Sequence, residues 1–182
     1  KGLSTKFPNQ VISTPISEAA IVGASIGMAM RGLKPIVEIM FGDFITLATD
    51  QIINHAAKYN WMYNEKVKVP VIIRTPVGGH RGYGPTHSQS LESLFLSVPG
   101  VEIIAPSVFN DPGSILEKLI RKADHPTIFV ENKTDYPKTI AKSNFGNFGI
   151  KREFDKFDNE YTILSLYPDE SPDILIFTYG GN

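Results

Sequence analysis

The six residues VPVIIR, Val69 to Arg74, stay apolar up to the final arginine and show no alternation of polar and apolar side chains. A strand with one face in water alternates. A strand covered on both faces reads as a continuous apolar run, as in a parallel sheet held between two layers of helices. The pattern recurs in PIVEIM (Pro35 to Met40), VEIIA (Val101 to Ala105) and TIFVE (Thr127 to Glu131). Helical patterns fill the intervals, over Ile16 to Arg31, Asp43 to Met62, Thr86 to Val98 and Asp111 to Ala123. Strands and helices in alternation predict an α/β domain, with a mostly parallel sheet flanked by helices on both faces, over residues 1–134.

Downstream the texture changes. Asp135 to Pro172 is rich in Asn, Lys, Asp, Gly and Pro and lacks a clear period, so 135–172 reads as an interdomain linker. Its one candidate strand is YTILSL, Tyr161 to Leu166. DILIFTY (Asp173 to Tyr179), followed by Gly180 and Gly181, reads as a strand meeting a turn, and 173–182 as the truncated start of a further domain. The first residue is Lys1, not Met, and the chain is read as a fragment.

Composition narrows the function classes. The chain has 182 residues, 42% hydrophobic and 20% charged, with a net charge of -1, which is ordinary for a globular domain. There is no clustered basic charge to meet nucleic acid or an anionic membrane. With no cysteine, disulfides and thiolate metal sites are excluded, which fits a reducing compartment. No apolar run approaches the roughly 18 residues of a membrane span. The expected location is cytoplasmic, or the mitochondrial matrix in a eukaryote.

Three stretches carry candidate chemistry. In TPISEAAIVGAS (Thr14 to Ser25), Glu18 leads an apolar, small-residue helix that reads as buried on several sides, with Pro15 at an early helical position. Two readings stand for Glu18: a charge favouring the helix dipole, or a desolvated carboxyl that shares a proton with a bound base. In MFGDF (Met40 to Phe44) a strand ends and Asp43 caps the next helix, at the sheet edge where α/β proteins bind ligands. Met40 and Phe44 either pack in the core or sandwich a flat heteroaromatic ring. In GGHRGYGPTHSQS (Gly78 to Ser90) a glycine-rich loop runs into Thr86-x-x-Gln89, a capping-box spacing that places His87 in a helix's first turn. There the dipole favours a neutral, proton-accepting imidazole, unless His87 is simply solvated. His80 and Arg81 suit a substrate carboxylate as well as a surface loop. Neither of the common glycine-rich phosphate motifs is present.

Taken in order, TPISEAAIVGASIGMAMRGLKPIVEIMFGDF, DQIINHAAK, VPVIIRTPVGG, HSQSLESLF and VPGVEIIAPS resemble the beta subunit of thiamine-diphosphate-dependent 2-oxoacid dehydrogenase decarboxylating components. The resemblance runs from about Thr14 to Glu131 and corresponds to the pyrimidine-binding domain of the transketolase superfamily. It implies that Glu18 hydrogen-bonds a ring nitrogen of the cofactor's aminopyrimidine, favouring the imino tautomer that activates the thiazolium carbon. It implies that Ile16, Met40 and Phe44 line or stack on the pyrimidine, and that His87 orients the oxoacid or acyl acceptor and assists proton transfer. The implied cofactors are thiamine diphosphate and Mg2+. The ion and the diphosphate are bound by the partner domain, because Gly42-Asp43 here is followed by Phe44 and cannot serve as the family's diphosphate motif. No residue of this chain is assigned to that metal.

The implied partners are an alpha subunit or fused amino-terminal half, a lipoyl acyltransferase and a 2-oxoacid substrate, in a dimer or heterotetramer, with the fragment inactive alone. Family members often hold a structural potassium near a turn that here reads RKADHP (Arg121 to Pro126), one residue longer, and the ion is left unassigned. Ketol transfer of the transketolase or deoxyxylulose-phosphate-synthase kind, and a non-catalytic subunit-association module, are the alternatives. HSQSLE and DQIINHAAK favour the oxoacid branch over the first.

Overall fold

The computed structural model describes residues 2–140, 149–154, 160–165, 173–174, 176 and 178–181. Four strands form one all-parallel sheet: β1 (Ile36–Glu38), β2 (Ile72–Val77), β3 (Glu102–Ile104) and β4 (Thr127–Asn132), in the spatial order β1-β2-β4-β3. β2 is bonded along both edges, with Ile72 opposite Ile36 on one side and Thr127 on the other. Side chains alternate between two cores. Val71, Ile73, Ile128 and Val130 pack with α2 (Glu18–Met30) and the segment 42–62. Ile72 and Phe129 pack with α4 (Pro112–Lys122) on the other face. The expected α/β sandwich is present, and the apolar runs of the central strands β2 and β4 follow from this two-sided cover, while edge strand β1 alternates, with Val37 buried and Ile36 and Glu38 exposed. A four-residue helix, α1 (Leu3–Lys6), was not expected.

Several boundaries differ from the sequence reading, each for a local reason. α2 starts at Glu18 with Ser17 as its cap, so Pro15 precedes the helix. Only one face of α2 is buried, by Val22, Ser25, Ile26 and Ala29, because this chain supplies a single layer for it to pack on. Residues 42–62 are helical throughout, as expected, but the winding changes along the way: 42–48 is a tight 3-10 helix, 49–50 is α-helical, 51–56 is a π-helix, and α3 (Ala57–Met62) is α-helical again. Thr46 Oγ1 donates to Asp43 O at 2.9 Å and Thr49 Oγ1 to Thr46 O at 2.8 Å, hydroxyl bonds that compete with regular helical pairing. Thr86 to Val98 breaks into two short 3-10 turns, Pro85–His87 and Glu92–Phe95. Ser88 Oγ turns back onto Gly84 O at 2.6 Å. α4 begins as expected, with Asp111 Oδ1 accepting from the Gly113 and Ser114 amides.

Part of the stretch 135–172 is regular structure. β5 (Gly149–Phe154) pairs antiparallel with β6 (Glu160–Ser165), which overlaps the candidate strand YTILSL. The described residues of DILIFTY form no strand; an apolar run becomes one only beside a neighbour that accepts its backbone groups. Instead, Tyr179 donates its hydroxyl to Glu92 Oε1 at 3.0 Å.

At the amino-terminal pole of the sheet, the turn before β4 is tied by charge. His125 lies 3.3 Å from Glu102 Oε2 and 3.1 Å from Asp124 Oδ1, while Lys68 pairs with Asp124 at 3.1 Å. Lys34 Nζ donates to the carbonyls of Arg121 and Ala123 at 3.1 and 3.2 Å. The hydrogen bond to Glu102, opposed by burial and helped by Asp124, raises the His125 pKa above its ordinary value. The linked stability is complete below the unfolded value and is lost as pH rises through the raised folded value. Equilibrium unfolding of wild type and His125→Asn, from about pH 5.5 to about pH 8, spanning the ordinary imidazole value of about 6.5, should show the wild-type advantage shrinking as pH rises.

The carboxyl ends of β1 and β2 touch at Gly42. A Cβ built there meets Val77 Cγ1 at 2.5 Å, so only glycine fits this approach. Gly42→Ala should destabilise the chain by about 1–3 kcal/mol through overpacking, read as a lower urea midpoint. Gly27→Ala is the contrast, since its Cβ meets nothing within 4 Å on the uncovered side of α2. It should raise the midpoint of the isolated chain, by up to about 1 kcal/mol of helix propensity.

Candidate active site

Parallel pairing gathers the carboxyl ends of β1, β2 and β4 side by side, the position where open α/β sheets bind ligands. Each end contributes a segment. β1 continues through Met40 and Phe41 into the 42–48 helix, β2 opens into the loop that carries Tyr83, His87 and Gln89, and β4 runs on to Lys133. Lys133 N donates to Val77 O at 3.0 Å, which keeps the β4 end in register with β2.

The His87 imidazole is the centre of the group. Its ring stands edge-on to Phe41 at 4.7 Å between centroids and to Phe44 at 5.2 Å, with interplanar angles of 87° and 82°. Phe41 in turn meets Tyr83 at 5.6 Å. Thr86 Oγ1 lies 3.0 Å from His87 Nδ1. That contact leaves Nε2 as the nitrogen with no hydrogen-bond partner among the described residues. An imidazole framed by aromatic edges, with one nitrogen engaged and the other open, is suited to giving or taking a proton.

Beneath it lies a buried pair of charges. Asp43 and Lys133 are 7% and 5% exposed. Gln89 Nε2 donates to Asp43 Oδ1 at 2.7 Å, while Oδ2 is buried without a partner among the described residues. Asp43 therefore faces the loop and does not cap the 42–48 helix, whose cap position is Phe41. The capping box at Thr86 and Gln89 is likewise absent, because Gln89 is spent on Asp43 and Thr86 on His87. Lys133 Nζ donates to His87 O at 2.5 Å and sits over the rings of Phe41 and Tyr83 at 5.0 and 5.6 Å. Burial lowers the Lys133 pKa, with Asp43 opposing that fall and Arg81 adding to it.

The other residues singled out by sequence occupy the rim. Glu18 is half-buried in the first turn of α2 and has no side-chain partner among the described residues. Ile16 is 86% exposed and Met40 61% exposed, so neither is a core residue in this chain. Phe44 is half-buried and packs against the main core as well as His87. The structure thus brings Phe44 and His87 together. Glu18 and Ile16 stand at the head of α2, which packs on the 42–48 helix, and among the described residues neither is hydrogen-bonded to the others. His80 and Arg81 are exposed, and His80 adopts a positive φ of 59° in the loop.

The sequence matches the family described as transketolase, pyrimidine binding domain, over residues 1–139. The chain belongs to this family. It is 43% identical over 159 residues to the acetoin:2,6-dichlorophenolindophenol oxidoreductase subunit beta of Cupriavidus necator, covering 84% of this chain and 47% of that protein. It is 42% identical over 144 residues to the mitochondrial pyruvate dehydrogenase E1 component subunit beta-1 of Arabidopsis thaliana, covering 79% and 39%. It is 35% identical over 187 residues to the 2-oxoisovalerate dehydrogenase subunit beta of Bacillus subtilis, covering 98% and 52%. The chain thus spans about half the length of these curated relatives.

Within this pyrimidine-binding domain, sequence reasoning missed Phe41, Tyr83, Lys133 and the true role of Gln89. Phe41 had a signal, standing between Met40 and Phe44. Lys133 had none, since it follows a strand 46 residues from the loop it holds. It also missed a cavity of about 390 Å3 on the α4 side of the sheet, lined by Arg74, Ser107, Asn110, Glu131 and Tyr136 among others. Arg74 Nε donates to Glu131 Oε1 at 2.7 Å and Tyr136 donates to Glu131 Oε2 at 2.8 Å. Glu131 is thereby bonded at both oxygens, and none of Ile16, Glu18, Met40, Phe44 or His87 lines the cavity. The geometry around His87 makes one direct prediction. The imidazole protons, held beside two aromatic rings, should resonate away from free-histidine positions in the NMR spectrum, and Phe41→Leu should move them back.

Proposed function

We propose that this domain is the pyrimidine-binding half of a thiamine-diphosphate-dependent 2-oxoacid dehydrogenase, the component that decarboxylates the oxoacid and passes the acyl group to a lipoyl arm. The observation that carries the reading is the state of Glu18: a half-buried carboxyl, free of any partner among the described residues, at the mouth of α2. A carboxyl so placed suits a ligand that offers a ring nitrogen. The nearby chemistry fits a flat, partly apolar group, since Ile16 and Met40 expose apolar side chains that a heteroaromatic ring would cover. The pyruvate and 2-oxoisovalerate dehydrogenase relatives support the oxoacid branch, while the acetoin oxidoreductase relative acts on a hydroxyketone, so the substrate of this chain is left open.

In this reading Glu18 shares a proton with a nitrogen of the aminopyrimidine, and closure by the partner domain strengthens the shared hydrogen bond by excluding water. Ile16, Met40 and Phe44 hold the ring's faces. When bound, thiamine diphosphate supplies the electron sink for the bond to the departing carboxylate. His87 orients the oxoacid or the acyl acceptor through Nε2 and assists proton transfer. The diphosphate and Mg2+ belong to an alpha subunit or a fused amino-terminal half; Asp43, buried and bonded to Gln89, is not offered to a metal. The active site is then assembled between two domains, with a lipoyl acyltransferase as the onward partner and a dimer or heterotetramer as the working form. Residues 1–134 form the binding domain, and 173–182 open a further one.

The test uses the complete enzyme. Glu18→Ala should abolish oxoacid turnover and slow hydrogen–deuterium exchange at the thiazolium carbon by about 100-fold or more. Exchange at the wild-type rate would remove the role assigned to Glu18.

A further inference from the structure

The buried ammonium of Lys133 has no place in the reading above, and its surroundings say what it does. An ammonium removed from water costs several kcal/mol unless it is paired and hydrogen-bonded. Here the compensation comes from three directions: the carbonyl of His87 at 2.5 Å, the faces of Phe41 and Tyr83, and the field of Asp43. Asp43 is in the same position with opposite sign. It is 7% exposed, and one of its oxygens has no hydrogen-bond partner among the described residues. Each charge makes the other's burial tolerable.

What the two charges hold is the turn between them. Lys133 fixes the main chain at His87, and Asp43 fixes the side chain of Gln89 two positions on, with both bonds bridging 46 positions of sequence. The anchors rise from different strand ends, Lys133 from β4 and Asp43 from beyond β1, and the turn they grip comes from β2. The turn needs such anchoring. It is a three-residue 3-10 piece following Gly84 at φ 76°, too short to hold its own shape. The same ammonium also lies over Phe41, one of the two rings that frame the imidazole.

We propose that Lys133 is a positioning residue for His87, acting with Asp43 and Gln89 as a two-point brace that sets the imidazole between Phe41 and Phe44. The inference rests on the reading of His87 as the group facing the substrate, and its readouts separate the two. Lys133→Met removes the charge and keeps much of the length. Gln89→Leu unties the second point from a side chain at the surface, so it serves even if the lysine variant folds poorly.

Both variants are made in the complete assembly. In the cofactor-free form, the 13C-labelled His87 ring signal should lose part of its aromatic-ring shift and broaden. In the form loaded with thiamine diphosphate and Mg2+, turnover of pyruvate or 2-oxoisovalerate should fall by about 10- to 100-fold, the scale of a misplaced catalytic group. Exchange at the thiazolium carbon, which depends on Glu18, should stay within about twofold of wild type. A His87 signal that does not move in either variant overturns the proposal. So does turnover within twofold of wild type, or exchange slowed in step with turnover, which would mark general damage. Failure of the oxoacid reading looks different: wild type turns over neither oxoacid, while the shift of the His87 signal still reports whether the brace exists.

Discussion

Strand β2 is hydrogen-bonded to β1 on one edge and β4 on the other, and the site depends on that double pairing. Parallel strands all run out at the same pole, so three segments far apart in sequence emerge within a side chain's reach of each other. Phe41 and Phe44 come from the first exit, His87 from the second and Lys133 from the third. A slip of one residue between β2 and β4 would exchange the two faces of β4 between the cores and carry Lys133 out of register with the His87 carbonyl. The interleaved apolar side chains Ile73, Ile128 and Val130 on one face and Ile72 and Phe129 on the other make such a slip costly.

The site is built to two standards. Its floor is finished within this chain: charges balanced, rings in contact, loop ends tied. Its rim is not, with Glu18 unpartnered and Ile16 and Met40 open to solvent. In the proposed function this rim is the part that a partner domain closes. That fits a chain that spans about half the length of its relatives.

The fold was legible because the two central strands, β2 and β4, are buried on both faces and announce it by runs of Val and Ile. The changing winding of the helix after β1, and the break in the one before β3, were not foreseen because apolar spacing alone does not show where Thr and Ser hydroxyls bond back to the chain. Thr46, Thr49 and Ser88 all do so, and the backbone tightens or breaks accordingly. Glu18, Phe44 and His87 were singled out because motif order carries them, and of these the structure brings Phe44 and His87 together. Asp43 was seen but given the wrong task, since an acidic residue after a strand looks like a cap whether or not its carboxylate turns inward. Lys133 was invisible, because burial of a single lysine is a property of the packed sheet and leaves no periodic trace.

Gly42 carries a consequence for how this scaffold can vary. The absent Cβ lets the exits of β1 and β2 lie almost in contact, with Val77 filling the space a methyl would need. The aperture between the phenylalanine segment and the histidine loop is therefore gauged by a hydrogen atom, not by the loops themselves. Loop sequences can drift and keep that spacing. A single methyl at residue 42 would widen it while leaving the side chains of Phe41, Phe44 and His87 unchanged in kind.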